Sequence, residues 1–312
     1  MSNTTIRVSV PKPHYTLFDG TRVFSRREAV GCLSAALAAL AVPRSYGVTA
    51  SGFPLWEITS GRTSAYLIGH TPPQPADWQN SRVQDLLRRC GELWNETSQT
   101  SPSPVAELIQ RYGISPEMPL HARLSAPQQA KLSAAASAAG LVEGSMAQYR
   151  PWLAGQTLEG AFFSAPGFSG RNAEKVLVTE AEQLGIPLRS EFPTLDDAVR
   201  WFVGLPPKTE LEYLLYIVDE ILAGRAAGQQ SYEAWDVGRA APATAWVTRL
   251  QRRYPQLYRS MVVERNQRWV ARFKSMLGQD RPTLVVVGFY HLVGADSMQA
   301  QLARQGLTVL RS

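Results

Sequence analysis

The sequence is poor in the residues that most often carry metal and thiol chemistry. Its 312 residues include four histidines and two cysteines. If the chain is cut after Ala50, Cys90 is the one thiol that remains, so no intramolecular disulfide can form and stability must come from the core. Cys90 ends an amphipathic helix pattern, which favours a buried, unreactive thiol over a nucleophile.

Several common catalytic motifs are also missing. The chain has no G-x-S-x-G elbow, no P-loop and no Rossmann glycine pattern. Its formal charge of +6 is uneven, because residues 1–50 hold six Lys or Arg and two acidic residues, a net of +4 that leaves +2 for residues 51–312. No basic block with interleaved aromatics follows, so nucleic acid is not expected as a partner.

No apolar run is long enough to span a bilayer. The longest, residues 29–42, has 14 residues, whereas a spanning helix needs about 20. Arg26 and Arg27 precede it, and Val48 and Ala50 fit a cleavage site, so residues 1–50 are predicted to be a cleavable export signal of the twin-arginine type. Ala29 stands where that signal usually has a large apolar residue, so the general secretory route and an uncleaved anchor are the alternatives. We expect a periplasmic or secreted protein with no stable membrane span after cleavage.

Hydrophobic patterns place strands at both ends of the mature chain. The segments LWEIT and AYLIG flank Ser60-Gly61 as a predicted β-hairpin, a helix follows, and ELWNET reads as a third strand. Near the other end, TLVVVG is a short Val-rich run typical of a strand buried on both faces, and LTVL closes the chain as another. The strands predict a central mixed sheet.

The middle of the chain is largely helical. Helical patterns run from about residue 104 to 253, interrupted by a Gly185 stop and a short strand that ends at Glu191. A long amphipathic helix is predicted for residues 259–277, and Asp296 is the predicted N-cap of the last helix. We therefore predict one α/β domain, 51–312, with a helical insertion at about 104–253.

His291 directly follows the buried strand TLVVVG. In open α/β sheets, ligands bind at the carboxyl ends of strands, where strand ends and helix starts leave a polar crevice. A hydrogen-bonded structural histidine is the alternative.

Together, several stretches resemble the TraB/GumN family, relatives of the Tiki proteases in the wider superfamily of erythromycin esterases and ChaN-like proteins. The resemblance covers Leu55 to Leu310 and rests on PLWEIT, AYLIG, ELWNET, RPWLAG, LGIPLRSEF, ERNQRW and VVVGFYHLVG, in that order. It implies an α/β fold with a pocket at the strand ends and a metal-dependent hydrolase activity, peptidase-like in the Tiki branch.

The family signature is two copies of G-x-x-H, and only the second is intact here. Gly288 to His291 matches it, whereas Gly69-His70-Thr71-Pro72 has Pro72 at the histidine position. His70 lies two residues early, about 6.6 Å along an extended strand, and zinc tolerates little error in ligand position. His70 is therefore expected to reach a metal only if the proline-rich loop rearranges.

The resemblance implies roles for a small set of residues. Glu96 is a candidate metal ligand or general base, since burial raises a carboxyl pKa toward neutrality. Arg265 is a candidate for substrate or oxyanion binding, with an ion pair to Glu96 or Glu191 as the alternative. The metal candidates are His291, Glu96 and His70, and the predicted pocket residues are Tyr290, Gly288 and Gly69.

Two hypotheses follow. In the first, the chain is exported, its metal site is degraded, and it binds a peptide or small ligand without turnover; any zinc or manganese is held weakly or not at all. In the second, it is an active metal-dependent hydrolase that uses His291 and Glu96 at the metal. The altered first G-x-x-H favours the degraded site.

Overall fold

The computed structural model describes residues 52–60, 63–98, 100–142, 144–164, 168 and 170–311. The predicted export signal lies outside these residues, as do two residues of the predicted hairpin turn, Gly61 and Arg62. Within the described part of the chain, no helix is both long and apolar enough to cross a membrane.

A six-stranded mixed sheet forms the centre of the fold, as predicted. Its spatial order is β4, β3, β5, β2, β1, β6. The first four in that order pair in parallel, whereas β1 pairs antiparallel with both β2 and β6. The strand bounds are β1 Leu55–Thr59, β2 Ser64–His70, β3 Glu92–Thr97, β4 Leu188–Phe192, β5 Thr283–Gly288 and β6 Thr308–Arg311.

Most helices lie between β3 and β5, which confirms the helical middle. The α-helices are α1 Ser81–Leu87, α2 Val105–Tyr112, α3 Ala126–Ala138, α4 Pro151–Ser164, α5 Ala173–Leu184, α6 Leu195–Val203, α7 Pro207–Ala223, α8 Arg225–Asp236, α9 Ala241–Arg253, α10 Pro255–Tyr258, α11 Glu264–Met276 and α12 Met298–Arg304. Short 3-10 helices span Leu120–Arg123 and Phe289–Leu292, and a π-helix spans Arg259–Val263.

Strand β5 is buried on both faces because helices cover both sides of the sheet. Its side chains alternate between two hydrophobic cores. Val285 and Val287 belong to the larger core, formed with the helical middle. Leu284 and Val286 belong to the smaller core, which also contains Cys90. Burial raises the pKa of that thiol to about 12, consistent with an unreactive cysteine.

Local signals set several helix ends. Gly185 adopts φ +66° after α5, the left-handed conformation that favours glycine, and β4 follows. Thr194 and Asp197 form a capping box at α6. The prediction for the last helix is wrong by one residue. Its N-cap is Ser297, whose hydroxyl accepts from the Ala300 N–H, while the Asp296 carboxylate accepts from Tyr258.

Candidate functional site

The parallel strands end at one edge of the sheet and bring the predicted site residues together there. His70 is the last residue of β2, and Glu96 lies next to the end of β3. His291 lies on the 3-10 helix that follows β5, and Arg265 is the second residue of α11. All four are almost completely buried.

Glu96 is the centre of this site, and three side chains lie within hydrogen-bond distance of its first carboxylate oxygen, Oε1. The Arg265 Nη2 lies 2.6 Å away. The Tyr290 hydroxyl and the His291 Nε2 each lie 3.0 Å away. Arg265 also donates from Nη1 to the Tyr290 hydroxyl at 3.0 Å, so these groups form a closed hydrogen-bond network.

The second oxygen of Glu96, Oε2, contacts His70. The His70 Nε2 lies 3.1 Å from it, and the Gly288 backbone N–H donates to it at 3.2 Å. His70 thus contacts Glu96 from the end of β2, and the Glu96 carboxylate lies between the two histidines.

Two asparagines and a glutamate that the sequence motifs do not single out complete the surroundings of the histidines. The Asn266 Oδ1 lies 2.5 Å from His291 Nδ1, and its amide donates to the His291 and Asp296 carbonyls. Asn172, the N-cap of α5, places its amide 3.2 Å from His70 Nδ1. Glu174 Oε2 lies 3.6 Å from His70 Nε2. The feature of the sequence that could have identified Asn266 as a site residue is its position next to Arg265 in ERNQRW.

Glu191 holds Arg265 from the other side. Its Oε2 accepts from Arg265 Nε and Nη2, at 2.9 and 2.5 Å, and from Trp269 Nε1 at 3.0 Å. Arg268 Nη2 donates to Oε1 at 3.1 Å. The alternative considered for Arg265, an ion pair with Glu96 or Glu191, is present with both partners.

Charge overrides burial at Glu96. Burial alone would raise the pKa of this carboxyl, as expected from the sequence, but Arg265 and the two histidines hold it well below its usual range. Burial would also lower the pKa of His70, yet Glu174 and Glu96 raise it. At His291 the balance differs: burial and Arg265 lower the pKa, and the hydrogen bond to Glu96 opposes them. The direction of this shift favours the ionised form of Glu96, which accepts hydrogen bonds.

The model of the TraB/PrgY/gumN family matches residues 54–311, which is most of the chain. The chain belongs to this family. Neither the curated proteins nor the solved structures gave a match.

In this TraB/PrgY/gumN chain, Arg265 lies against the carboxylate that a divalent ion at this site would need. Within the described residues, no group of three or more His, Cys, Asp or Glu side chains is arranged so that it could hold a metal ion. Arg265 donates to the same Glu96 oxygen that His291 contacts, so a positive group already occupies that side of the carboxylate. A metal ion there would be repelled by the guanidinium.

The glycines of the two family motifs make room for aromatic rings. A Cβ on Gly288 would lie 2.1 Å from Tyr290 Cε1, and one on Gly69 would lie 2.6 Å from Trp235 Cζ2. The Gly69 carbonyl also accepts from Trp235 Nε1 at 2.9 Å. The two glycines therefore allow aromatic side chains to pack closely against the strand ends. Neither glycine lines the cleft beside Arg265.

That cleft, which we call the strand-end cleft, opens next to Arg265 and Tyr290. Its other walls are mainly aromatic and apolar, with two polar groups. They are formed by Thr97, Gln156, Phe192, Ala198, Trp201, Phe202, Tyr213 and Met261. The Arg265 guanidinium lies 5.4 Å from the centre of the Phe192 ring and 5.9 Å from that of Trp201.

Proposed function

We propose that this TraB/PrgY/gumN-family protein is exported and binds a peptide or small ligand in the strand-end cleft, without turnover and without a tightly held divalent metal. The observation that most directly supports this proposal is the set of hydrogen-bond contacts made by the Glu96 carboxylate. Its two oxygens already receive Arg265, Tyr290, His291, His70 and the Gly288 N–H. A carboxylate with this many donors is a fixed structural anion.

The lining of the cleft suggests which ligand it selects. Apolar and aromatic walls with few polar groups are typical of small-ligand sites, where the polar groups fix orientation. The cleft has a volume of about 20 Å³, so its walls must move apart when a side chain enters. Arg265 Nη1 has two hydrogens and donates one to Tyr290. The second can meet a carbonyl oxygen of a ligand. We therefore propose a peptide segment with an apolar or aromatic side chain as the ligand class.

Calorimetric titration with blocked dipeptides tests this proposal. The panel carries Phe, Leu, Ser or Asp at one varied position. Phe and Leu should bind about tenfold tighter than Ser or Asp, because the walls bury apolar surface. Trp201→Ala should weaken the Phe preference.

Lys274→Arg is the matched control, because Lys274 lies on the same helix as Arg265 and is exposed, away from the site. It should bind like wild type. Equal affinity for all four dipeptides would refute the proposed ligand class. Cleavage of the dipeptides, seen by mass spectrometry, would refute binding without turnover.

The alternative function is an active metal-dependent hydrolase with His291 and Glu96 at the metal. The approach of His70 to Glu96, with Glu174 nearby, is the observation that favours it. It requires Arg265 to leave Glu96, so Arg265→Gln, which removes the positive charge, should then strengthen zinc or manganese binding. If the proposed function is correct, Arg265→Gln destabilises the site and adds no metal binding.

A further inference from the structure

A second cleft lies within the helical middle, between α4, α7 and α8. We call it the interhelical cleft. It is lined by two carboxylic acids, several aromatic rings and small residues: Glu159, Phe162, Phe163, Phe168, Tyr216, Ile217, Glu220, Ile221, Gly224, Arg225, Gly228 and Tyr232. Neither the family motifs nor the strand-end site uses these residues.

Buried oxygen atoms in this cleft lack partners. Glu159 and Tyr216 are 2% and 3% exposed, and among the described residues neither Glu159 Oε1 nor the Tyr216 hydroxyl has a hydrogen-bond partner. The other Glu159 oxygen accepts from Tyr213 at 3.4 Å and from Gln156 at 3.5 Å, both long contacts. Burying polar atoms without partners costs free energy, so such atoms point to a ligand that completes them.

The second acid, Glu220, adds a further acceptor. Among the described residues no group meets Oε2 with normal hydrogen-bond geometry, although Trp246 lies close enough to lower the pKa of this carboxyl group, and Oε1 lies 3.5 Å from Arg249 Nη2. Both Glu159 and Glu220 lie close enough to Tyr216 and Tyr232 to contribute to their raised pKa values, although burial is the larger cause. The two carboxyl groups and the two phenols line the same cleft.

The aromatic wall already accommodates one cation. The Arg225 guanidinium carbon lies 5.2 Å from the centre of the Phe162 ring and 5.4 Å from that of Phe168. Ring faces attract cations within about 6 Å, and the attraction grows when the cation is desolvated. The wall is thus suited to positive charge, and the unpartnered oxygens behind it accept hydrogen bonds.

From these contacts we propose that the interhelical cleft binds a small organic cation, a primary ammonium group carrying a short hydrocarbon chain. The ammonium donates to Glu159 Oε1, Glu220 Oε2 and the Tyr216 hydroxyl. Its three N–H groups match these three acceptors. The cavity has a volume of about 30 Å³, which suits the ammonium group, and the hydrocarbon chain extends from it along the Phe162 and Ile221 side chains. An anion is disfavoured by the two carboxyl groups, and a neutral alcohol lacks the charge.

Binding of an ammonium should release a proton. In the free protein, burial raises the pKa of Glu159 well above its ordinary value and that of Glu220 to about 7. A cation at hydrogen-bond distance favours the ionised carboxylates. Other titratable groups near the two acids are Tyr213, Tyr216, Tyr232, Asp219, Arg225 and Arg249. The tyrosines have raised pKa values and stay neutral, so the acids supply the proton.

Calorimetric titration of the purified protein with hexylamine, hexanol and hexanoate at pH 7 tests the proposal. Hexylamine should bind about tenfold or more tightly than hexanol, since charge-assisted hydrogen bonds separate the two. Hexanoate should not bind. The apparent binding enthalpy of hexylamine should vary with the ionisation enthalpy of the buffer, which reports proton release.

Glu159→Gln and Glu220→Gln should each weaken hexylamine binding by about tenfold and reduce the proton release. Glu233→Gln is the matched control, since Glu233 is an exposed acid on α8 outside the cleft. It should bind like wild type. If Glu159→Gln does not fold, the proposal is tested by the hexylamine titration of Glu220→Gln and by the buffer dependence of the binding enthalpy in the wild-type protein.

Equal affinity for hexylamine and hexanol would overturn the proposal. So would a Glu220→Gln variant that binds hexylamine as tightly as wild type, or the absence of hexylamine binding at millimolar concentration. These outcomes leave the strand-end proposal untouched, because the blocked dipeptides probe other residues.

Discussion

At Glu96, two opposing effects act on one buried carboxyl group. Burial favours the neutral acid, and Arg265 at 2.6 Å favours the carboxylate. Arg265 prevails because the pair shares a desolvated site, where a charge at hydrogen-bond distance acts strongly. The sequence could name both residues as site candidates. It could not show that they neutralise each other, because 169 positions separate them in the chain.

We predict that Glu96→Gln lowers the free energy of unfolding by roughly 2–3 kcal/mol. The loss is moderate for a buried ion pair because Arg265 keeps Glu191 as its second partner. Urea unfolding measures it. Glu182→Gln, at an exposed acid near the end of α5, should change stability by less than about 0.5 kcal/mol. Equal losses in the two variants would contradict the role of Glu96.

Glu159 predicts a pH dependence of stability. Its pKa in the folded protein is raised by burial, so the folded state binds the proton more tightly than the unfolded state does. The contribution of Glu159 to stability should therefore be greatest below the ordinary glutamate pKa and fall as pH rises above it. Glu159→Gln should remove this contribution, so the stability of the variant should fall less steeply with pH, and it should be the more stable protein at pH 7. Urea unfolding from pH 4 to 8 checks both, and a parallel pair of curves would contradict the assignment.

Elements with a strong local pattern were predictable from the sequence. Strand β5 and the hairpin strands β1 and β2 follow alternating or continuous apolar runs, and Gly185 ends α5 as expected. The choice between Asp296 and Ser297 as N-cap was not predictable, because both residue types cap helices and tertiary contact with Tyr258 decided which one does.

The close packing at the end of β2 gives a prediction for that element. A Cβ on Gly69 would meet Trp235 Cζ2 at 2.6 Å and the Phe289 backbone at 2.8 Å, so Gly69→Ala should displace both residues. We expect a loss of about 1–3 kcal/mol in the free energy of unfolding, typical of overpacking. Gly278→Ala is the control, because its nearest neighbour would be 3.4 Å away. A fully stable Gly69→Ala variant would show that this packing is not as tight as described.

For the whole molecule, the sequence could predict the edge of the sheet at which the site residues meet. It could not predict the residues that surround His70. Glu174 and Asn172 lie at the start of α5, and nothing in their local pattern marks them as neighbours of His70. The interhelical cleft could not be predicted from the sequence either. Glu159 and Glu220 lie on two predicted helices, and only the packing of α4 against α7 brings their carboxyl groups to the same cleft.

Export is a prediction for the whole molecule that concerns residues outside the described part. Cleavage after Ala50 should give a mature N-terminus at Ser51, which mass spectrometry of the exported protein can establish. Arg26→Lys combined with Arg27→Lys should block export, because the twin-arginine route requires the arginine pair. Unaffected export of the double variant would contradict that route, and an intact leader would contradict the cleavage.

The central claim is that the strand-end site is a closed ion-pair network and holds no tight divalent metal. Its most direct test is metal analysis of the purified protein, combined with calorimetric titration of the chelator-treated protein with zinc and manganese. We predict substoichiometric metal as purified and weak or undetectable binding that His291→Ala and His70→Ala do not alter. One tightly bound equivalent of metal, lost in both His70→Ala and His291→Ala, would contradict the claim and establish the metal-dependent alternative.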